Sequence, residues 1–341
     1  MRVLLTGGAG FIGSHMAERL LDRGDRVVVL DDLSTGAMDN IDHLIGRVGF
    51  EHRVGSATDA ALVGELVDRC DITVHLAAAV GVRLIVERPV HTIETNVRGT
   101  ETVLAAAARK QRLVVLASTS EVYGKGVRLP FREDDDITLG ATVHSRWAYA
   151  CSKALDEWLA LAYQRERGVP VIVTRFFNTV GARQTGRYGM VLPTFAEQAL
   201  REEPITVYGS GQQSRCFGHV RDAVEAVLRL VDTPAAIGEV FNVGADREVT
   251  IKRLAEMVRS AAGSRSPIVT VPYAEAYTEG FEDMERRVPD LSKLDRVTGF
   301  RPSTTLEHII DDVIADQRRR LASVRPFSLP RPAARAAAAP V

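Results

Sequence analysis

The chain has 341 residues, 45% of them hydrophobic, and its 43 basic and 44 acidic residues leave a formal net charge of −1. These values predict one or two domains with a sizeable core, and the balanced charge argues against nucleic acid or a membrane surface as a partner. No apolar run is long enough to span a membrane, and the run at residues 3–5 is too short for a signal peptide. The three cysteines are widely spaced and none has metal-ligand spacing, so we expect reduced thiols, no metal and a cytoplasmic protein.

The first predicted elements are a strand, a glycine-rich turn and a helix. An apolar run at residues 2–5 leads into GGAGFIG at residues 7–13, and helical spacing follows. This order is the context that a dinucleotide-binding fingerprint needs. Gly7 allows the tight turn, Gly10 lets the backbone approach a pyrophosphate, and Gly13 lets the helix pack on the strand. The pyrophosphate would then lie at the helix N-terminus, where unpaired N–H groups and the helix dipole favour an anion.

A second apolar run, at residues 27–30, ends in Asp31 and Asp32. An acid at this distance from the glycine turn can bind the hydroxyls of the adenosine ribose and would repel a 2′-phosphate. We therefore predict NAD, and not NADP, as the cofactor. The turn at residues 33–36 could close over the ribose.

Strand and helix patterns alternate up to residue 178. Further strands are predicted at residues 50–54, 72–76, 113–116 and 171–175. The alternation predicts an α/β fold with a Rossmann-like, doubly wound parallel sheet, and chemistry at the carboxyl ends of its strands. The small residues Ala77 and Ala78 would let the nicotinamide half of the cofactor lie against the backbone.

Tyr149 and Lys153 lie one turn apart in a helix predicted over residues 147–165, so their side chains share a face. An ammonium near a phenol favours the phenolate and lowers the pKa of the tyrosine, which makes it usable as an acid/base near neutral pH. Only five of the 43 basic residues are lysines. Because the pair follows a nucleotide fingerprint and a strand that ends in Ser-Thr, it predicts catalysis.

These pieces together resemble the extended short-chain dehydrogenases/reductases, the nucleotide-sugar epimerase/dehydratase family, over residues 1 to about 320. The matching motifs are GGAGFIG at 7–13, HLAA at 75–78, NVRGT at 96–100, VYG at 122–124, Tyr149 with Lys153, and RFFN at 175–178. The resemblance implies a tightly held NAD that takes a hydride from sugar C4 and later returns it, with a UDP-sugar as substrate. It also implies a homodimer formed by the helices around 96–108 and 148–165.

The resemblance further implies a division of the chain and a set of site residues. Residues 1–178 would form the NAD-binding domain, to which about 213–245 return; 179–320 would mainly bind the sugar nucleotide, and 326–341 would be a disordered tail. The expected cofactor contacts are Gly7, Gly10, Phe11, Ile12, Asp31, Asp32, Ser34, Thr35, Gly36, Leu76, Ala77, Ala78, Asn96, Tyr149, Lys153 and Phe176. The expected catalytic residues are Thr119, Glu121, Tyr149 and Lys153. The expected substrate contacts are Arg83, Thr119, Ser120, Asn178, Arg183, Arg187, Tyr208, Arg215 and Arg287, with Asn178, Arg215 and Arg287 on the diphosphate.

The triplet Thr119-Ser120-Glu121 bears on the reaction. The Thr119 hydroxyl can bond the C4 oxygen beside Tyr149. Dehydratases of dTDP-glucose carry Thr-Asp-Glu, and Ser120 lacks the carboxylic proton that such a dehydration needs. Thr-Ser-Glu is instead similar to UDP-glucuronate decarboxylases and to GDP-mannose dehydratases, and Asp31 argues against the latter because they use NADP. Glu121 could act in the chemistry or serve as a structural carboxylate.

Other segments favour a hexuronate substrate, but some resemble decarboxylases and others resemble 4-epimerases. Arg146-Trp147 resembles the decarboxylases, whereas residues 80–83 and 181–183 resemble UDP-glucuronate 4-epimerases. Arg183 or Arg187 could fork to the sugar carboxylate, or could be a solvated surface charge. We expect C4 epimerisation of UDP-glucuronate to UDP-galacturonate, with UDP-glucuronate decarboxylation as the alternative, then UDP-glucose 4-epimerisation. The alternative from a different functional class is a protein that senses NAD and has no catalytic activity.

Overall fold

The structure is a computed structural model that describes residues 1–81, 87–186, 190–272, 275 and 284–323, with the side chain of Arg146 excepted. Arg83, Arg187 and the predicted tail at 326–341 lie outside the described residues.

Nine α-helices and fourteen strands are defined in this part of the chain. The helices are α1 Phe11–Asp22, α2 Ala60–Asp68, α3 Pro89–Ala108, α4 Ala148–Arg167, α5 Val191–Leu200, α6 Val220–Val231, α7 Ile251–Ala262, α8 Ser292–Thr298 and α9 Leu306–Ser323. The strands are β1 Arg2–Thr6, β2 Arg26–Asp31, β3 Phe50–Val54, β4 Ile72–His75, β5 Leu113–Thr119, β6 Val171–Phe176, β7 Thr179–Val180, β8 Ile205–Tyr208, β9 Ser214–Cys216, β10 Gly218–His219, β11 Val240–Val243, β12 Glu248–Thr250, β13 Ile268–Val271 and β14 Arg286–Arg287.

Seven parallel strands form the central sheet in the order β11–β6–β5–β4–β1–β2–β3. The chain builds outward from β1 to β3 and then crosses back to β4, so its direction of growth reverses between β1 and β4. In a doubly wound sheet the crevice beyond the carboxyl ends at this reversal binds the ligand. The predicted α/β fold with a doubly wound parallel sheet is confirmed.

The sheet is covered on both faces, and this explains the unbroken apolar run at residues 27–30. Each of these side chains is at most 1% exposed. Val27 and Val29 pack in one core with α1 and α6, whereas Val28 and Leu30 pack in another with α2, α3 and α4. Successive strand residues point to opposite faces, so a strand between two helical layers is apolar at every position.

A third core lies in the C-terminal part of the chain, where α5, α7 and α9 pack with β8. Three small sheets accompany it, in the orders β10–β7, β12–β9–β14 and β13–β8. The segment from α6 to β11 belongs instead to the central sheet, and Leu294 of α8 packs in the same core as α6. We propose that the part with the third core binds the substrate.

The cysteines are free thiols: Cys70 and Cys216 are buried and Cys151 is exposed. Burial raises the pKa of Cys70 to about 11 and that of Cys216 to about 12, so neither forms a thiolate at neutral pH. Within the described ranges, no helix is both long and apolar enough to span a bilayer. The same ranges hold no cluster of His, Cys, Asp and Glu suited to a metal ion.

Candidate active site

The glycine turn between β1 and α1 is shaped for close approach of a ligand. Gly7 has φ +72°, and a Cβ there would lie 2.7 Å from the backbone nitrogen of Ala77. A Cβ on Gly13 would overlap the carbonyl oxygen of Gly7. Gly10 is the N-cap of α1 and offers its N–H groups no side chain, so this helix end is open to an anion. The turn therefore fits a dinucleotide pyrophosphate.

Asp31 ends β2 beside this turn and is 8% exposed. Its Oδ2 accepts the backbone N–H of Ala9 at 2.9 Å and its Oδ1 that of Leu33 at 2.8 Å. Burial raises the pKa of Asp31, and these N–H groups oppose the shift. A Cβ on Gly36 would lie 2.8 Å from Oδ1, so the turn at residues 33–36 closes over the carboxylate. Ser34 bonds the neighbouring Asp32 through its backbone N–H and its hydroxyl.

Asn96 holds the loop that follows β4. Its Oδ1 accepts the Ala79 backbone N–H at 2.8 Å, its Nδ2 donates to Ser152 Oγ at 3.1 Å, and the residue is 1% exposed. We predicted a direct cofactor contact for Asn96. The side-chain amide joins the Ala79 backbone to Ser152 of α4, and the cofactor contact stays a prediction.

The carboxyl end of β5 carries the predicted catalytic triplet. Thr119 Oγ1 accepts the backbone N–H of Glu121 at 3.2 Å and so caps the short helix Ser120–Tyr123. The helix α4, which carries the buried Tyr149 and Lys153, packs against Ser120–Tyr123. The predicted acid/base pair and triplet therefore come from adjacent elements.

Arg287 lies beside the same triplet. Its Nη1 is 3.2 Å from Glu121 Oε1 and 3.4 Å from Ser120 Oγ, and the guanidinium side chain is 8% exposed. We predicted a diphosphate contact for Arg287. The structure places its guanidinium beside the Glu121 carboxylate at the triplet, and the diphosphate contact stays a prediction. Arg215 is its register partner across β9 and β14 and donates to Ser214 O at 2.8 Å.

Three further predicted residues lie at the ends of strands or just beyond them. Phe176 ends β6 and pairs in register with Thr119. Asn178 follows it with φ +28° and donates through Nδ2 to Cys216 O at 3.1 Å. Tyr208 ends β8, is 40% exposed, and accepts at its carbonyl oxygen from Gln213.

The sequence is similar to a known protein family and to characterised enzymes. The model of the NAD dependent epimerase/dehydratase family matches residues 3–244. The chain belongs to this family. A UDP-N-acetyl-alpha-D-glucosaminuronate decarboxylase of Bacillus cytotoxicus is 41% identical over 314 residues, which are 92% of this chain and 96% of the relative. UDP-glucuronic acid decarboxylase 1 of Danio rerio is 36% identical, with 94% of this chain and 73% of the relative covered.

Among solved structures, the UDP-glucose 4-epimerase of Thermotoga maritima with UDP-glucose superposes with a TM-score of 0.84 at 28% identity. The superposition covers 94% of this chain and 100% of that one. The predicted family is confirmed. The protein is an NAD-dependent enzyme of nucleotide-sugar chemistry, and its glycine turn and Asp31 fit that cofactor.

Arg183 of this epimerase/dehydratase contacts α1 and α9. The guanidinium of Arg183 donates to the carboxylate of Glu18 on α1 and to Asn40 O at 3.4 Å. Its backbone N–H donates to Asp316 on α9 at 3.0 Å. The Arg183 guanidinium thus lies against α1, and the prediction that it binds a sugar carboxylate stays a prediction.

Sequence reasoning missed two buried carboxylates on α4. Glu157 pairs with Arg175, whose Nη2 lies 2.7 Å from Oε2, and also accepts from Ser118 of β5. Asp156 pairs with Lys153. Both follow the catalytic motif at helical spacing, and this is the signal that could have indicated them.

Proposed function

We propose that this protein is a decarboxylase of a UDP-hexuronate. The observation that carries the proposal is the Arg287–Glu121 pair at the carboxyl end of β5, beside the helix of Tyr149 and Lys153. The two relatives named as decarboxylases of UDP-linked uronic acids support it, at 41% and 36% identity. Decarboxylation thereby takes the place of epimerisation as the preferred reaction.

The reaction begins with proton removal from the C4 hydroxyl. Tyr149 accepts this proton, and the neighbouring Lys153 ammonium favours the phenolate. The Thr119 hydroxyl lies at the end of the adjoining strand and bonds the same oxygen. NAD, which the glycine turn at residues 7–13 and Asp31 would hold, would supply the hydride acceptor for C4.

Carbon dioxide then leaves from the oxidised sugar. The C4 carbonyl stands next to C5, which carries the carboxylate, so the sugar is a β-keto acid. The C5–C6 bond breaks, its electron pair moves to the C4 oxygen as an enolate, and a proton is added at C5. We assign Arg287 to the carboxylate end, because a guanidinium can bind a carboxylate bidentately. Its place at Ser120 and Glu121 favours it over Arg183 for this role.

UDP-glucuronate 4-epimerisation is the second candidate. The superposition on a solved UDP-glucose 4-epimerase supports it. In 4-epimerisation the 4-keto sugar turns over and takes the hydride on its other face, and the C5–C6 bond stays intact.

The deciding experiment offers UDP-glucuronate and UDP-N-acetylglucosaminuronate separately to the purified protein and follows carbon dioxide and the proton NMR spectrum. We expect stoichiometric carbon dioxide and a UDP-pentose or 4-keto-pentose from at least one substrate. UDP-galacturonate without carbon dioxide would instead identify the epimerase. Faster interconversion of UDP-glucose and UDP-galactose would contradict a hexuronate. Bound NAD with every UDP-sugar unchanged would indicate a sensor.

We also propose a homodimer formed through α3 and α4, which pack together. Four large apolar side chains on these helices are exposed: Val90 at 68%, Ile93 at 41%, Leu155 at 45% and Trp158 at 57%. Burial of such side chains in a four-helix contact would remove apolar area from water.

A further inference from the structure

Lys153 and Asp156 form an ion pair inside α4. Lys153 Nζ donates to Asp156 Oδ2 at 2.7 Å, and the side chains are 2% and 0% exposed. Their spacing of three residues places both on one face of the helix. Two charges this deeply buried need each other, because removal of one leaves the other desolvated without compensation.

The groups around this pair do not replace either partner. Burial raises the pKa of Asp156, and Lys153 and Thr100 of α3 oppose the shift, while Glu157 adds to it. Glu157 itself is paired with Arg175. On the β4 side, burial and the Lys153 ammonium lower the pKa of His75 to about 3, so that ring is neutral. Among these groups, Lys153 is thus the cation that Asp156 contacts.

We propose that Asp156 is the positioning residue of the Tyr149–Lys153 acid/base pair. Its carboxylate holds the Lys153 ammonium inside α4, one turn below Tyr149, and balances its charge. This rests on the proposed function in so far as Tyr149 and Lys153 carry the proton chemistry. Asp156 itself is fully buried and acts through Lys153 alone.

The proposal predicts an effect on the proton chemistry that a merely structural carboxylate would not produce. Without the Asp156 carboxylate, the Lys153 ammonium loses the partner that holds it on this face of α4. The Tyr149 phenolate then loses the cation beside it and forms only at higher pH. The acid limb of the pH–rate profile should therefore move upward.

The first experiment measures kcat and KM against pH for Asp156→Asn, which keeps the shape of the side chain and removes its charge. We expect kcat at pH 7 to fall about tenfold or more, the acid limb to rise, and KM to stay within about threefold. Glu157→Gln is the matched control, since it removes the neighbouring buried carboxylate, which pairs with Arg175. It should lower the thermal midpoint and leave the acid limb in place. A profile of Asp156→Asn that overlays the wild type, or an equal shift in Glu157→Gln, would overturn the proposal.

A second experiment needs no substrate. The thermal midpoints of Lys153→Met, Asp156→Asn and the double variant are compared with the wild type in the full chain. We expect Lys153→Met to lower the midpoint more than the double variant does, because the single change strands a buried carboxylate. Additive shifts would overturn the pairing. Wild-type protein that turns over neither hexuronate would contradict the proposed function, and this comparison would still decide the pairing.

Discussion

Arg287 of β14 lies with its Nη1 3.2 Å from Oε1 of Glu121, at the end of the strand that carries Thr119. Both side chains are largely buried, at 8% and 13% exposure. The pair brings a guanidinium from the C-terminal part of the chain to the edge of the central sheet. The proposal of a uronate substrate is based on this arrangement.

Replacement of Arg287 by Ala should reduce kcat/KM for the hexuronate roughly 10- to 150-fold, the equivalent of about 1.5–3 kcal/mol for a lost charge-assisted bond. Steady-state release of carbon dioxide measures the change. The matched control is Arg286→Ala, since Arg286 is its neighbour, is exposed and pairs with Glu248. Equal losses of kcat/KM in the two variants would show that Arg287 does not act at the site.

Replacement of Tyr149 by Phe should lower kcat by about 100-fold or more, because the C4 hydroxyl loses its proton acceptor. The bound NAD and the thermal midpoint should be retained. Tyr163→Phe changes a tyrosine of the same helix that lies against Arg167 and should leave kcat unaltered. If Tyr149→Phe kept more than about a tenth of the activity, another group would be the base.

Replacement of Asp31 by Ala should narrow the preference for NAD over NADP, since the carboxylate that would repel a 2′-phosphate is removed. Calorimetry with both cofactors on cofactor-free protein measures the two affinities. Asp39→Ala, at an exposed acid just beyond the same turn, should leave the preference as it is. A wild-type protein with comparable affinities would contradict the role of Asp31.

Acid should destabilise the fold through His15, whose Nε2–H donates to Ala182 O in the loop beside Arg183. Burial lowers the pKa of His15 from 6.5 to about 4. The unfolded chain therefore binds the proton first as pH falls, so this stability is present above pH 6.5 and is lost between 6.5 and 4, by at most about 3 kcal/mol. Urea titrations across this window should show a shallower pH dependence for His15→Gln. The exposed His91→Gln should keep the wild-type slope.

Replacement of Trp158 by Asp should turn the proposed dimer into a monomer, because it places a charge in the apolar contact between helices. Light scattering after size exclusion measures the mass. Val127→Asp changes an apolar residue that is 97% exposed outside α3 and α4 and should not alter the mass. A monomeric wild-type protein would contradict the dimer.

The local motifs could be found from the sequence because their geometry depends on short spacing. Gly7, Gly10 and Gly13 lie in one turn and the start of the helix after it, and Asp31 ends one buried strand, so a few backbone angles fix their relation. Tyr149 and Lys153 lie on one helix face by the helical period alone. The alternation of strands and helices likewise predicts the parallel sheet, since a parallel strand needs a crossover.

Only the tertiary structure decided which arginine lies beside Ser120 and Glu121 at the end of β5. Arg183 and Arg287 both lie in arginine-rich segments, and local spacing does not distinguish them. Arg287 belongs to a two-residue strand without a hydrophobic pattern, and it is placed by pairing with β9, in register with Arg215. Arg183 is drawn to Glu18, which is 165 positions away in the chain. Such partners are chosen by packing between distant segments, whereas the dinucleotide turn and the acid/base helix are set by their own backbone.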